Sequence, residues 1–254
     1  MRPPPPPSVT DALFLDFDGT LVDLAERPSL VQVPQDLPAL LASVSAAVGE
    51  ALAIVSGRRL ASIDALLAPM RFSGAGLHGA ELRTDPREAA PPLESTLDHA
   101  AQWLAARIEG DAALWLEDKG AALALHYRGA PERAADAERL LRDAVDGLDV
   151  EVIAGKCVFE ARPRNVNKGQ ALRALMQRPP FAGRRPLYVG DDTTDEDGIR
   201  AVQALGGIGI KVGEGGSEAV ARLDNPAAVR AWLAAISRAD REVAQVAPDR
   251  APHI

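Results

Sequence analysis

Asp16 and Asp18 stand two residues apart, directly after the apolar run Leu13-Phe14-Leu15 and just ahead of Gly19 and Thr20. A carboxylate can attack phosphorus and form an aspartyl-phosphate. A second acid two residues on can protonate the leaving oxygen, then activate the water that clears the intermediate. Gly19 lets the backbone turn away beneath a phosphate. Two further apolar runs end in polar groups that rarely belong in a core. Residues 52–55 run into Ser56, and residues 186–189 run into Gly190-Asp191-Asp192, with Asp195 close behind. An Asx-type turn accounts for the first segment taken alone, but not for a second acidic loop after another strand.

In an open parallel sheet the carboxyl ends of the strands line one edge, where ligands bind. The acids are therefore expected to meet in space although they are far apart in the chain. Clustered carboxylates repel one another unless a cation holds them. Hard oxygen ligands without His or Cys select Mg2+ rather than zinc. The expectation is a Mg2+ site at a sheet edge, serving phosphate chemistry.

The elements that must position these groups alternate as parallel βαβ units do. A strand ends at Asp16, a helix covers 34–48, a strand covers 52–55, and a helix covers 58–67 before Pro69. Pro91-Pro92 marks a break. A helix over 97–108, a hairpin across the turn Glu117-Asp118-Lys119-Gly120, a helix over 131–145 and a half-exposed strand over 156–162 then suggest an inserted α+β unit. After Pro163 the α/β pattern returns, with a helix from Lys168, strands at 186–189 and 208–212, and helices over 217–223 and 226–238. Ser217 is the expected N-cap of the first of these two helices. Residues 3–7 and 243–254 read as loose tails. The division expected is core 1–82, cap 83–162 and core 163–254.

Composition narrows the function classes. The 254 residues carry 28 Lys+Arg against 36 Asp+Glu, a net charge of −8. Such a chain is poorly suited to nucleic acid or an anionic membrane surface, and neither partner is expected. The single Cys157 excludes an intramolecular disulfide framework and a multi-cysteine metal site, and reads as a buried thiol. A cytoplasmic location fits.

Asp16-Phe17-Asp18-Gly19-Thr20 resembles the first motif of the haloacid dehalogenase superfamily of phosphotransferases. Ser56 resembles its second motif, a hydroxyl that grips phosphate. Lys168 resembles its third, a fixed positive charge, and residues 190–196 resemble its fourth, the acidic metal loop. The long insertion matches the type of cap that follows the second motif. Ser56-Gly57-Arg58, Gly76-Leu77-His78-Gly79-Ala80-Glu81, His126-Tyr127-Arg128 and Glu160-Ala161-Arg162-Pro163 are similar to the trehalose-6-phosphate phosphatase family. The resemblance implies a Rossmann-like three-layer core with a parallel sheet and an α+β cap. It implies Asp16 as nucleophile, Asp18 as general acid then base, and Mg2+ held by Asp16, the Asp18 backbone carbonyl and Asp191. Asp192 and Asp195 would orient ligands, waters or Lys168, although which of the three acids touches the metal stays open.

The substrate implied is a phosphorylated disaccharide under the cap. Alternation places Lys156, Glu160 and Arg162 on one strand face, opposite Cys157, Phe159 and Ala161. That polar face meets either a sugar or solvent. Gly57 and Arg58 follow Ser56; Arg58 stands at an expected helix start, where an anion is favoured, or is an ordinary surface residue. His78 is either a substrate or hinge residue or a hydrogen-bonded structural one. Lys119 reads equally as an ordinary turn lysine. Gly74 to Gly79 matches the dinucleotide pattern G-x-G-x-x-G, but no helical periodicity follows it, so it reads as a loop near the site. Another sugar-phosphate phosphatase and a phosphomutase remain open readings.

Overall fold

In chain order the structure forms β1 (Asp11–Leu15), α1 (Leu37–Ala47), β2 (Leu52–Val55), α2 (Leu60–Leu66), β3 (Ser73–Gly76) and β4 (Glu81–Arg83). It continues with α3 (Asp98–Arg107), β5 (Trp115–Asp118), β6 (Leu123–His126), α4 (Ala134–Ala144), β7 (Val150–Gly155) and β8 (Val158–Pro163). It closes with α5 (Lys168–Leu175), β9 (Arg185–Gly190), α6 (Glu196–Ala204), β10 (Ile208–Val212), β11 (Ala221–Leu223) and α7 (Pro226–Val246). This computed structural model describes residues 3–25, 27–89, 97–164 and 166–246, with side chains as far as residue 236. The expected break at Pro91-Pro92 and the last eight residues lie outside the described residues.

Seven strands form the larger sheet in the order β11-β10-β9-β1-β2-β3-β4. All pairs are parallel except β3 with β4. The chain moves one way from β1 to β2 and later returns on its other side as β9, so the order reverses at β1. Such a switch point opens a crevice at the carboxyl ends of the strands. Asp16, Ser56 and Asp191 follow the three adjacent strands there.

Alternation along β1 shows why the sheet sits between helices. Leu13 and Leu15 pack with Leu37, Leu41 and Val44 of α1 and Val229 and Leu233 of α7. Ala12 and Phe14 pack on the opposite face with Leu172 and Leu175 of α5 and Ile199 and Val202 of α6. A strand buried on both faces reads as a continuous apolar run, as β1 and β2 do. Each large apolar side chain so buried contributes roughly 1.5–3 kcal/mol.

The second sheet, β5-β6-β8-β7, is antiparallel. Leu123, Leu125, Phe159 and Ala161 turn one face onto Leu104 of α3 and Leu141 of α4. The opposite face carries Glu117, Glu160 and Arg162. β4 runs one residue past position 82, and β8 one residue past 162.

Several local expectations are corrected. Residues 217–223 are not a helix: β11 pairs in parallel with β10, because edge pairing satisfies its backbone after the glycine-rich turn. Ser217 therefore caps no helix, and its Oγ accepts from the Ala219 N–H at 3.0 Å. The helix expected over 226–238 continues to Val246. α2 begins at Leu60, so Arg58 lies in a loop before it. The N-terminal prolines are not loose. Pro4 and Pro7 are buried, and Trp232 Nε1 donates to the Pro5 carbonyl at 3.2 Å. That spacing of three matches one face of a polyproline II helix. Cys157 is half-buried rather than buried, in the β7–β8 turn at φ 61°.

Candidate active site

Asp16 is 4% exposed at the end of the central strand, its N–H bonded to the Val189 carbonyl at 2.9 Å. Lys168 opens α5, which is capped by the Asn167 side chain accepting from Gln170 N–H at 2.9 Å. The Lys168 Nζ lies 2.7 Å from Asp16 Oδ1 and 2.5 Å from Asp195 Oδ1. Burial disfavours the ammonium, but the two carboxylates outweigh it and raise its pKa. Asp195 is saturated: Tyr188 Oη also donates to Oδ1, and the backbone N–H groups of Asp191 and Asp192 donate to Oδ2 at 2.9 and 2.8 Å. Lys168, and with it Asp16, is thereby fixed in direction.

Carboxylate oxygens of Asp16, Asp191 and Asp195 come within 4.8 Å of one another. Burial, then the charge of Asp195, pushes Asp191 up to about 6. Burial and the same neighbour push Asp16 well above its ordinary value, and Lys168 offsets only part of this. Gly19 permits the approach. Its φ is +76°, and a Cβ there would stand 2.1 Å from Asp191 Oδ2. Asp192 is exposed and forms a capping box with Asp195 at the turn.

Asp18 is held by Arg58 in a two-pronged pair, Nε to Oδ2 at 2.6 Å and Nη2 to Oδ1 at 2.7 Å. Arg58 Nη1 donates to the Pro28 carbonyl at 2.9 Å. Ser56 is buried, and its Oγ accepts from the Arg58 N–H at 3.1 Å. Gly57 makes room for His78: a Cβ at 57 would stand 2.7 Å from His78 Nε2.

The smaller sheet meets this edge through its polar face. Glu160 Oε1 lies 3.8 Å from His78 Nε2, and Lys119 Nζ lies 2.5 Å from Glu160 Oε2. Burial would raise the Glu160 carboxyl, but Lys119 and His78 hold it below its usual range. His78 Nδ1 and Glu160 Oε1 are buried without a hydrogen-bond partner. Such atoms call for an explanation, and a bound polar ligand is one. His78 is thus not the saturated structural histidine. Arg162 shares the face but pairs with Glu151 at 2.8 Å. Lys156 is corrected: it is exposed in the β7–β8 turn and is not aligned with Glu160 in the strand. A two-residue turn interrupts the alternation on which that expectation rested.

His78 carries a pH prediction. Burial pushes its imidazole down to about 4, the charges of Lys168, Lys119 and Arg162 assist, and Glu160 opposes. The unfolded chain takes up that proton near pH 6.5, whereas the folded one does not until about 4. This contribution is therefore complete above about pH 6.5 and is lost as pH falls toward 4. His78→Asn is expected to flatten the acid-side loss of stability by on the order of 3 kcal/mol. Denaturant midpoints at about pH 7 and about pH 4.5 check this, and an equal fall in both proteins would locate the effect elsewhere.

The profile of the family described as trehalose-phosphatase matches residues 14–225. The chain belongs to the trehalose-phosphatase family. A probable trehalose-phosphate phosphatase of Sinorhizobium fredii is 45% identical over 234 residues, covering 89% of this chain and 87% of the relative. The trehalose-6-phosphate phosphatase of Escherichia coli K12 is 38% identical over 234 residues, covering 90% and 87%. The solved C-terminal domain of the Candida albicans trehalose-6-phosphate phosphatase superposes with a TM-score of 0.77 at 24% identity, covering 91% of this chain and 94% of that one. At that identity the likeness shows the fold alone, a parallel-dominated α/β sheet with a second, antiparallel α+β unit inserted in the chain.

A trehalose-phosphatase of this fold implies a divalent metal, and the residues fit one. Three crowded carboxylates supply hard oxygens, and the raised Asp16 and Asp191 show that Lys168 alone does not balance them. Asp195 has both oxygens occupied, whereas Asp191 faces Asp16 and accepts from Thr20 Oγ1 at 3.3 Å. No helix among the described residues is long and apolar enough to cross a membrane.

Sequence reasoning undervalued Lys119 and missed Tyr188. For Lys119 the signal was present: Trp115, Glu117 and Lys119 alternate toward one face. A tyrosine inside a buried strand also signals that its hydroxyl has a polar partner.

Proposed function

We propose that this trehalose-phosphatase family member is a Mg2+-dependent hydrolase of trehalose 6-phosphate, working in the cytoplasm through an aspartyl-phosphate on Asp16. One arrangement carries the reading: Lys168 fixes Asp16 at the strand end, and the cap's Glu160 reaches within 3.8 Å of His78, whose N–H donates to the Ser56 carbonyl at 3.0 Å.

Asp16, the Asp18 backbone carbonyl and Asp191 would hold the metal, with Asp195 orienting Lys168 and the loop amides. Bound Mg2+ supplies positive charge that favours ionised Asp16 and draws electron density from the phosphoryl oxygens. An Asp16 oxygen attacks phosphorus as the bond to the sugar oxygen breaks. Asp18 gives its proton to that leaving oxygen, then takes a proton from the water that attacks the acyl phosphate. Inorganic phosphate leaves, and Asp16 is regenerated. Ser56 Oγ and the amides of its loop hold phosphoryl oxygens, and Lys168 offsets their charge. To act, Asp18 must leave the two-pronged grip of Arg58, whose N–H groups then face the phosphate. Lys119, Glu160 and His78 read the sugar hydroxyls, with Arg162 adding charge to the same face. Closure of the cap excludes water from the phosphoryl centre.

The test is phosphate release from trehalose 6-phosphate, sucrose 6-phosphate and glucose 6-phosphate, by wild type and by Glu160→Ala, beside an aryl phosphate. Wild type should prefer trehalose 6-phosphate. Glu160→Ala should lose about 10- to 100-fold on it, corresponding to one charge-assisted hydrogen bond, with little loss on the aryl ester. Equal losses on both would remove Glu160 from sugar recognition. Preference for another sugar phosphate would keep the mechanism and replace the substrate. Isomerised sugar phosphate without free phosphate would make the enzyme a mutase.

A further inference from the structure

Lys211 is 5% exposed, yet among the described residues its ammonium has no carboxylate partner. It lies on β10 in register with Gly190, the last residue of β9. Its Nζ donates to the Asp191 carbonyl and, at 3.1 Å, to the Val212 carbonyl. Ile210 and Val212 beside it are buried apolar residues. Burying an ammonium against neutral carbonyls costs free energy that an apolar side chain would not.

The contact has a consequence at the acidic loop. The N–H of Asp191 is held by Asp195 Oδ2 at 2.9 Å, and its carbonyl is held by Lys211. The peptide group after the Asp191 Cα is thereby held at both ends, its N–H (that of Asp192) by Asp195 Oδ2 at 2.8 Å and its carbonyl by Lys211, so only Lys211 holds the carbonyl end. The Asp191 side chain has few directions left, and it lies over Gly19 against Asp16. Lys168 acts differently, since it touches the carboxylates themselves.

We propose that Lys211 is a positioning residue for Asp191: by pinning the Asp191 carbonyl it holds that carboxylate in the direction needed to share a divalent cation with Asp16. This rests on the metal reading proposed above. Groups behind metal ligands act in this way, and their loss typically weakens metal binding about 10- to 100-fold.

The experiment is Mn2+ binding by the whole chain, followed by the EPR signal of the free ion, beside thermal unfolding of the metal-free protein. Mn2+ is a hard, oxygen-seeking probe of a Mg2+ site. Lys211→Met should weaken Mn2+ binding about 10- to 100-fold. The metal-free Tm should stay within roughly 3 °C, because a buried charge is lost along with its hydrogen bonds. Lys211→Arg, which keeps N–H donors for the carbonyl, should restore most of the affinity. If the Met variant does not fold, Lys211→Leu, which likewise has no donor for the carbonyl, carries the same expectation of weakened binding. Wild-type affinity in a folded Met or Leu variant would overturn the assignment. So would a lowered Tm with unchanged affinity, which would reduce Lys211 to packing. A wild-type chain that binds no Mn2+ would overturn the metal reading itself, and this assignment with it.

Discussion

Asp16→Asn is expected to lower phosphate release by about four orders of magnitude or more, equivalent to about 5 kcal/mol of barrier, while the fold persists. The amide keeps the size of the side chain and one oxygen for Lys168 Nζ, which stands 2.7 Å away. It has no carboxylate to attack phosphorus. The stability side has a definite sign. Burial, Asp195 and Asp191 raise the Asp16 carboxyl in the folded state. The folded protein therefore binds a proton that the unfolded chain releases, and the wild type loses stability as pH rises above the ordinary aspartate range. Asn removes that loss. The metal-free variant should therefore match the wild type at low pH and exceed it in Tm at neutral pH. Turnover within tenfold of wild type would exclude Asp16 as the nucleophile.

Removing divalent metal with a chelator should lower turnover by at least about three orders of magnitude, near 4 kcal/mol, and Mg2+ should restore it. The physical basis is the crowding of Asp16, Asp191 and Asp195 around one lysine. Asp191, raised to about 6, favours the folded state when protonated. Metal-free stability should fall as pH rises from about 4 through about 6, and Mg2+ should abolish that slope. Tm measured with chelator and with Mg2+ at about pH 5 and about pH 7.5 separates the cases. A Tm indifferent to Mg2+, with full turnover in chelator, would remove the metal from the site.

Much of the larger sheet was legible because burial on both faces writes itself as apolar runs. Leu13 to Leu15 and Leu52 to Val55 fall in β1 and β2, and the polar residues closing them share one sheet edge. The edge strand β11 was not legible. Three residues, Ala221 to Leu223, carry no period, and only pairing with β10 makes them a strand. The proline tail shows the same limit: Trp232, far along the chain, gives Pro5 its partner.

At the site, residue types and order alone carried the chemistry proposed here: two acids two apart after a strand, a hydroxyl after the next, and a lysine and an acidic loop further on. Those are properties of local chemistry and strand period, so a linear chain displays them. Which groups touch was decided only in three dimensions. Asp195 is saturated by Lys168, Tyr188 and two amides, and Asp18 is gripped by Arg58, 40 residues away. Lys119 meets Glu160 across 41 residues, while Lys156, four residues from Glu160, turns away in a hairpin. Hydrogen bonds and charge pairs act over a few ångströms of space rather than along the chain, so only the packing of the two sheets and their helices brings their partners within reach.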